Sequence, residues 1–383
     1  MLLSVIIPCR NEFPNVVHTV HSIFNCLEAD GFALDDYEII LVDNGSTDTE
    51  HDKPGTKGTS SYLMARGCYY SGKVRVLYDP ICGNHSARNK GVEIAQGEYV
   101  FFSDAHMSYR PGFFKKMLSA CQETGGLVHG AVQWMGAYPP RDTGAGFGYT
   151  LKLGEEWKGT WNNYKVADST FAVIGQGHWG VMVNKQQFIR FGGYPAVHRT
   201  YGGGELFVDS LWWMMGSCVV TVPDATGYHL SSGRGYAYTH DDYIHNIFNC
   251  AYALGCDDWL ERAYINYLRN GRKEVLDRMM AEARVEMAGR RAKIEKERKY
   301  TFSQLLTERP WDKWNMEKHG RSNCNILVYH PTWLNLLKDS SEISKEAYRN
   351  STYQVGLEKF IIDNLWDNVY HKDSFDKTNL PKI

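Results

Sequence analysis

Ser103-Asp104-Ala105-His106 closes a short apolar run, Tyr99 to Ser103, and sets a carboxylate and an imidazole two residues apart. In extended chain, residues i and i+2 share a side, so Asp104 and His106 can face one ion while the small Ala105 points away. A hard carboxylate oxygen combined with an imidazole nitrogen is compatible with Mn2+, with Mg2+ as the alternative. Open parallel sheets bind ligands outside the carboxyl ends of their strands, and an acidic residue leaving a buried strand there usually holds a cation. Such a cation neutralises the charge of a nucleotide diphosphate when its bond to a sugar breaks. The competing explanation is that Asp104 caps a helix near Pro111 to Leu118 and that His106 is incidental.

Positioning this pair requires strands that end together. Ser4 to Pro8 is a β-branched run, followed by helical spacing over Asn15 to Ala29. Tyr37 to Val42 is a second buried run that passes directly into the polar turn Asp43 to Asp48. Val74 to Tyr78 predicts a third strand, His85 to Gln96 a helix, and Tyr99 to Ser103 a fourth strand. Strands separated by helices imply an α/β fold, a mostly parallel sheet covered on both faces. Between them, a Gly-, Thr-, Ser- and Lys-rich stretch around 50–60 reads as a mobile loop. The middle, 125–240, is rich in Gly, Trp and Tyr and weakly periodic, with strand candidates at Gly126 to Val132 and Cys218 to Val222. From about 241 the chain turns helical and charged, and Asp257 to Lys299 reads as long amphipathic helices.

Three blocks carry a resemblance: SVIIPCRNE at the first strand, EIILVDNGSTD at the second, and ARNKGVEIAQGEYVFFSDAH before the metal pair. In order and spacing, residues 1–110 resemble family 2 glycosyltransferases of the GT-A fold. That resemblance implies a nucleotide held by the loop Pro8 to Glu12, including Arg10, and by Asp43 at the end of the second strand. Arg88 would then sit near the base or the diphosphate. The Asp-x-His form is similar to that of polypeptide N-acetylgalactosaminyltransferases, as are GQGHWGVMVNKQQFIRFGGYP (175–195), YGGGELFVDSLWWMMG (201–216) and PDATGYHLSSGRGY (223–236). By that match His229 joins Asp104 and His106 as the third metal ligand, and the donor is a UDP-sugar. The resemblance covers about 1–240. Tyr201 departs from the family's Trp, Leu206 from its Asn, and neither a secretory anchor before the domain nor lectin-like repeats after it are found, which puts the family's Golgi setting and protein acceptor in doubt.

Glu205 and Asp209 lie on the segment that faces sugar and acceptor in both families. An inverting enzyme needs a carboxylate to deprotonate the acceptor hydroxyl, and either residue can serve. A retaining enzyme needs none, and the two would position sugar hydroxyls, or one would cap the helix beginning near Leu206. Arg234, in a Ser- and Gly-rich stretch, is a candidate clamp on the diphosphate. Trp179, Trp212 and Trp213 are candidates for stacking on sugar or for the core.

The 383 residues divide into an expected GT-A domain, 1–245 (1–110 for nucleotide, 111–245 for sugar and acceptor), and a helical region, 246–383. Trp311, Trp314, Trp333 and Trp366 suggest that the latter folds. A net charge of −2 exerts no global pull on nucleic acid. The basic residues between Arg269 and Lys299 are consistent with a solvated face, with contact to a polyanionic acceptor such as modified DNA, or with a homo-oligomer interface. No stretch reaches the ~18 apolar residues of a membrane span. Nine cysteines without ligand spacing read as reduced core thiols. A cytoplasmic location follows, in the host if the gene is viral. The acceptor can be a hydroxyl of a protein, a glycan or a modified nucleobase. A catalytically inactive nucleotide-sugar or glycan-binding protein is the alternative, and the absence of glycine in Pro8 to Glu12 argues against a nucleotidyltransferase.

Overall fold

The apolar runs of the N-terminus become the central strands of one sheet in the computed structural model, which describes residues 1–47, 72–80, 83–135, 146–153, 157–162, 165–230, 236–257, 260, 264, 267 and 272–321. The loop at 50–60, Arg234, Trp333 and Trp366 lie outside the described residues.

In chain order the elements are β1 (Leu3–Cys9), α1 (Asn15–Ala29), β2 (Tyr37–Asp43), β3 (Val74–Tyr78), α2 (Asn84–Ile94), β4 (Tyr99–Ser103), β5 (Met107–Tyr109) and α3 (Phe113–Thr124). Next come β6 (Leu127–Met135), the hairpin β7 (Gly148–Leu153) and β8 (Trp157–Asn162), then β9 (Phe171–Ala172), β10 (Gly180–Asn184) and α4 (Lys185–Phe191). The chain continues with α5 (Gly204–Met214), β11 (Val219–Leu230), α6 (His240–Ala253), α7 (Lys273–Glu286), α8 (Ala288–Glu297), α9 (Phe302–Glu308) and α10 (Pro310–His319). The main sheet runs β3-β2-β1-β4-β10-β6-β11-β5, with β9 beside β11.

Strands β3, β2, β1 and β4 are mutually parallel. β10 enters antiparallel to both β4 and β6, and β11 is parallel to β6. Every residue of β2 and β4 is buried, as expected of strands covered on both faces. α1 buries Val16, Val20, Ile23 and Leu27, a stripe at three- and four-residue spacing. Among the described residues no helix is long and apolar enough to cross a membrane. Cys26, Cys121, Cys218 and Cys250 are buried thiols outside any disulfide.

The C-terminal helices share the core of the sheet domain. α6 spans the expected boundary at 245, opening on a Thr239 cap that accepts from the Asp242 N–H at 3.1 Å. On α10, Trp311 is fully buried edge-on to Trp213, and the Asn315 amide pairs both backbone groups of Ala172 at 2.8 and 2.9 Å. Part of the basic run packs against the sheet domain, while Lys273, Arg278, Arg284, Lys296 and Lys299 are exposed. Arg290 donates to the Gly193 carbonyl and covers the Phe207 ring, Arg291 pairs with Asp257 and Glu295, and Lys293 donates to the Arg190 carbonyl.

Candidate active site

Asp104 leaves the carboxyl end of β4, where its backbone N–H donates to the Trp179 carbonyl at 3.0 Å. It does not cap the following helix, because β5 intervenes and Gly112 occupies the cap position of α3. β5 pairs antiparallel with β11, placing His229 opposite Met107 and hence beside His106. Ligand atoms of Asp104, His106 and His229 all lie within 4.8 Å of one another. The His229 Nε2 is 3.4 Å from Asp104 Oδ2, longer than a normal hydrogen bond and short enough for both atoms to contact one ion.

The donor set fits a divalent cation. His106 Nδ1 lies 3.2 Å from Glu12 Oε2. Against an ionised carboxylate, which only accepts, a neutral imidazole here would carry its proton on Nδ1 and leave Nε2 to a metal. Burial pushes the Asp104 carboxyl up, but the polar contact with His229 and the charges of Arg88, His106 and His229 outweigh it and hold the group well below the usual carboxylate range. It is therefore ionised at neutral pH. The Trp134 indole lies against His229, with centroids 4.6 Å apart.

Arg88 and Glu12 sit differently from the expectation that they hold the nucleotide. Arg88 is fully buried, and its Nη2 donates to Asp104 Oδ1 at 3.0 Å and to the His178 carbonyl at 2.9 Å, while Nη1 donates to Asn84. Its guanidinium braces the Asp104 carboxylate. Glu12 is buried against His106 and orients an imidazole. The loop between Pro8 and Glu12 is tied to the turn after β2 through Asn11. Its backbone N–H donates to Ser46 Oγ at 3.0 Å and its side-chain oxygen accepts from the Thr47 N–H at 2.6 Å. Asn11 adopts φ +53°, a left-handed conformation that asparagine tolerates. Asp43, buried at the end of β2, accepts from the Ser46 N–H at 2.8 Å, the turn-closing role. Pro8 and Arg10 are half-buried beside it, and the buried Arg10 Nε has no hydrogen-bond partner.

Glu205 and Asp209 separate in depth. Glu205 stands half-buried in the first turn of α5. Burial raises its carboxyl, Arg88 and a hydrogen bond with the His178 backbone oppose this, and Asp104 and Asp209 add to it. Asp209, one turn deeper, is fully buried. Its Oδ1 accepts from His178 Nε2 at 3.0 Å and His129 Nε2 at 3.2 Å, and Oδ2 accepts from the Gln176 N–H at 2.9 Å. Gly175 leaves the space that this carboxylate fills, since a Cβ there would stand 2.6 Å from Oδ2. His178 Nδ1 continues the chain to the Tyr194 hydroxyl. Enclosed this way, the Asp209 side chain has no exposed surface, unlike the half-buried Glu205.

The three tryptophans are core residues: Trp179, Trp212 and Trp213 are nearly or fully buried. Trp179 packs over Gly227, where a Cβ would come within 2.1 Å of its ring. Gly227→Ala is expected to cost about 1–3 kcal/mol through overpacking. It should also weaken metal binding, because the displaced Trp179 carbonyl holds Asp104. Thermal unfolding together with Mn2+ titration tests both, and an unchanged metal affinity would count against this coupling.

Residues 4–139 match the family model described as glycosyl transferase family 2, and the sheet is the GT-A fold, a Rossmann-like sheet with flanking helices. The chain is 29% identical over 144 residues to glycosyltransferase AglE of Haloferax volcanii, covering 37% of this chain and 42% of that one. It is 28% identical over 114 residues to the putative glycosyltransferase EpsH of Bacillus subtilis, covering 30% of each. These matches span less than half of the relatives' own length. Among solved structures, GalNAc-T7 with UDP, GalNAc and Mn2+ is similar in fold, with TM-score 0.57 and 16% identity over 76% of this chain and 57% of that one.

Proposed function

We propose that the chain is a metal-dependent glycosyltransferase that moves a sugar from a UDP-sugar to a hydroxyl acceptor. The observation that carries this reading is the convergence of Asp104, His106 and His229 at the carboxyl end of β4, with His106 Nδ1 3.2 Å from the Glu12 carboxylate that would orient it. Those three residues would hold Mn2+ or Mg2+, which when bound offsets the negative charge growing on the diphosphate as the glycosidic bond breaks. Arg88 keeps Asp104 in place and charged, and Glu12 keeps the His106 ring turned toward the ion. Asp43, Pro8 and Arg10 form the nucleoside side of the site, where the unpartnered Arg10 Nε is a donor available to an anionic ligand. UDP is carried over from the similar GalNAc-T7 structure.

Glu205 is the carboxylate we assign to the sugar and acceptor. Its raised carboxyl brings it nearer the working range of a general base, should the reaction invert. In a retaining reaction the same group would accept from a sugar hydroxyl. A reducing compartment such as the cytoplasm is the proposed setting, supported by the buried thiols.

Isothermal titration of UDP with and without Mn2+ tests the proposal. Binding only in the presence of metal is the expected result. Equal binding without metal would refute the assigned ligands. Absence of any nucleotide binding would point to a binding or structural relative.

A further inference from the structure

A cleft of about 520 Å3 opens between α1, the edge strand β5 and the ends of β6 and β11. One of its walls is His106, so the cleft shares one residue with the proposed metal centre. Along α1 it is lined by Asn15, His18, Ser22 and Asn25, residues spaced three and four apart on one helix face. Ten residue-to-residue steps along the helix make that face about 15 Å long. Opposite it stand apolar groups, Met135 at the end of β6 and Leu230 at the end of β11. His18 and Asn25 are exposed.

The chemistry of this lining selects its occupant. No Lys, Arg, Asp or Glu takes part, so the cleft has no charge with which to hold a polyanion or a charged peptide. Strand addition by a peptide is blocked as well. The edge of β5 that faces α1 is already hydrogen-bonded: Thr19 Oγ1 accepts from the Met107 N–H at 2.8 Å and Ser22 Oγ accepts from the Tyr109 N–H at 2.7 Å. What remains is a row of amide and imidazole groups facing apolar side chains. That pattern suits a ligand with hydroxyls at its rim and C–H faces between them.

We propose that this cleft is the acceptor subsite and that it takes a neutral glycan chain, whose terminal hydroxyl reaches the centre at Asp104, His106 and His229. The proposal rests on the transferase reading above and names its acceptor class. The glycan lies along α1 with hydroxyls on Asn15, His18 and Asn25, and its ring faces lie against Met135 and Leu230.

The test uses the full chain with UDP and Mn2+ on an array of neutral linear oligosaccharides, followed by titration of the best binder. Two variants, Asn25→Trp and His18→Trp, fill the cleft from exposed positions. At least one neutral oligosaccharide should bind, and each variant should weaken it at least tenfold while UDP affinity with Mn2+ stays within twofold. Preserved UDP affinity also shows that the variants are folded. Normal UDP binding with no oligosaccharide bound, or with binding indifferent to both variants, would overturn the cleft assignment alone. Capture of an anionic oligodeoxynucleotide in place of neutral sugars would overturn it too. Failure of the wild type to bind UDP would overturn the transferase reading and this proposal with it.

Discussion

Asp104→Asn should lower metal-dependent UDP affinity by at least about 100-fold, since losing even an outer-shell partner of a metal ligand costs 10–100-fold. The substitution removes the charged oxygen that stands with His106 and His229 in one cluster of candidate ligand atoms. It should also destabilise the fold. Arg88 is fully buried and Asp104 is its carboxylate partner at 3.0 Å, with the His178 carbonyl and Asn84 as its other acceptors. Breaking a buried ion pair costs about 3–5 kcal/mol, and the lower end applies because Asn keeps an acceptor oxygen and the site is partly open to water. Denaturant unfolding and UDP titration measure the two effects separately. Wild-type UDP affinity in the variant would eliminate Asp104 as a ligand, whatever happened to stability.

How much of this was legible in the sequence depends on distance along the chain. β1, β2, β4 and α1 follow their apolar runs closely, because a parallel strand covered on both faces is apolar throughout, and β3 follows its alternating run at the half-buried sheet edge. The Asp104 and His106 pair was equally local. His229 was not, since it lies far downstream and reaches the site only through the antiparallel pairing of β11 with β5; a family resemblance, and no local pattern, pointed to it. Arg88 was placed near the base or the diphosphate by the family resemblance alone. Its full burial could not be inferred from an α2 sequence in which Ala87, Gly91 and Val92 carry the apolar face. Trp134, His178 and Tyr194 went unrecognised, coming from separate elements with no shared spacing.

Glu205 and Asp209 show the same limit more sharply. The family resemblance put both carboxylates on one segment facing sugar and acceptor, and both lie on α5, four residues and so one turn apart. Periodicity reports the direction of a face and not its depth. The first turn of α5 meets the open site, whereas the next turn lies beneath the segment from Gly175 to Trp179. Asp209 thereby holds the strand-side wall: it fixes the Gln176 N–H and the His178 ring, and the His178 backbone in turn holds Arg88 and Glu205.

Asp209→Ala is accordingly expected to act on the fold first, costing about 3–5 kcal/mol at pH 7, because it leaves two buried imidazoles and a backbone N–H without their acceptor. Asp209→Asn should recover part of that loss through its remaining oxygen. The deficit should also grow on acidification. Burial lowers the folded value of His129 below the ordinary imidazole value, and Asp209 opposes that shift. The unfolded chain therefore binds the extra proton first, and this contribution to stability is lost as pH falls below about 6.5 toward the folded value. Removing Asp209 deepens the depression, so the variant should lose more stability than the wild type between pH 6.5 and pH 5. Urea unfolding at both pH values measures this. Unfolding at the wild-type midpoint, accompanied by abolished turnover, would restore Asp209 as the catalytic base. An equal acid loss in both proteins would break the link to His129. If the prediction holds, transferase chemistry at this site rests on Glu205 alone among the two carboxylates, with Asp209 acting through the wall it supports.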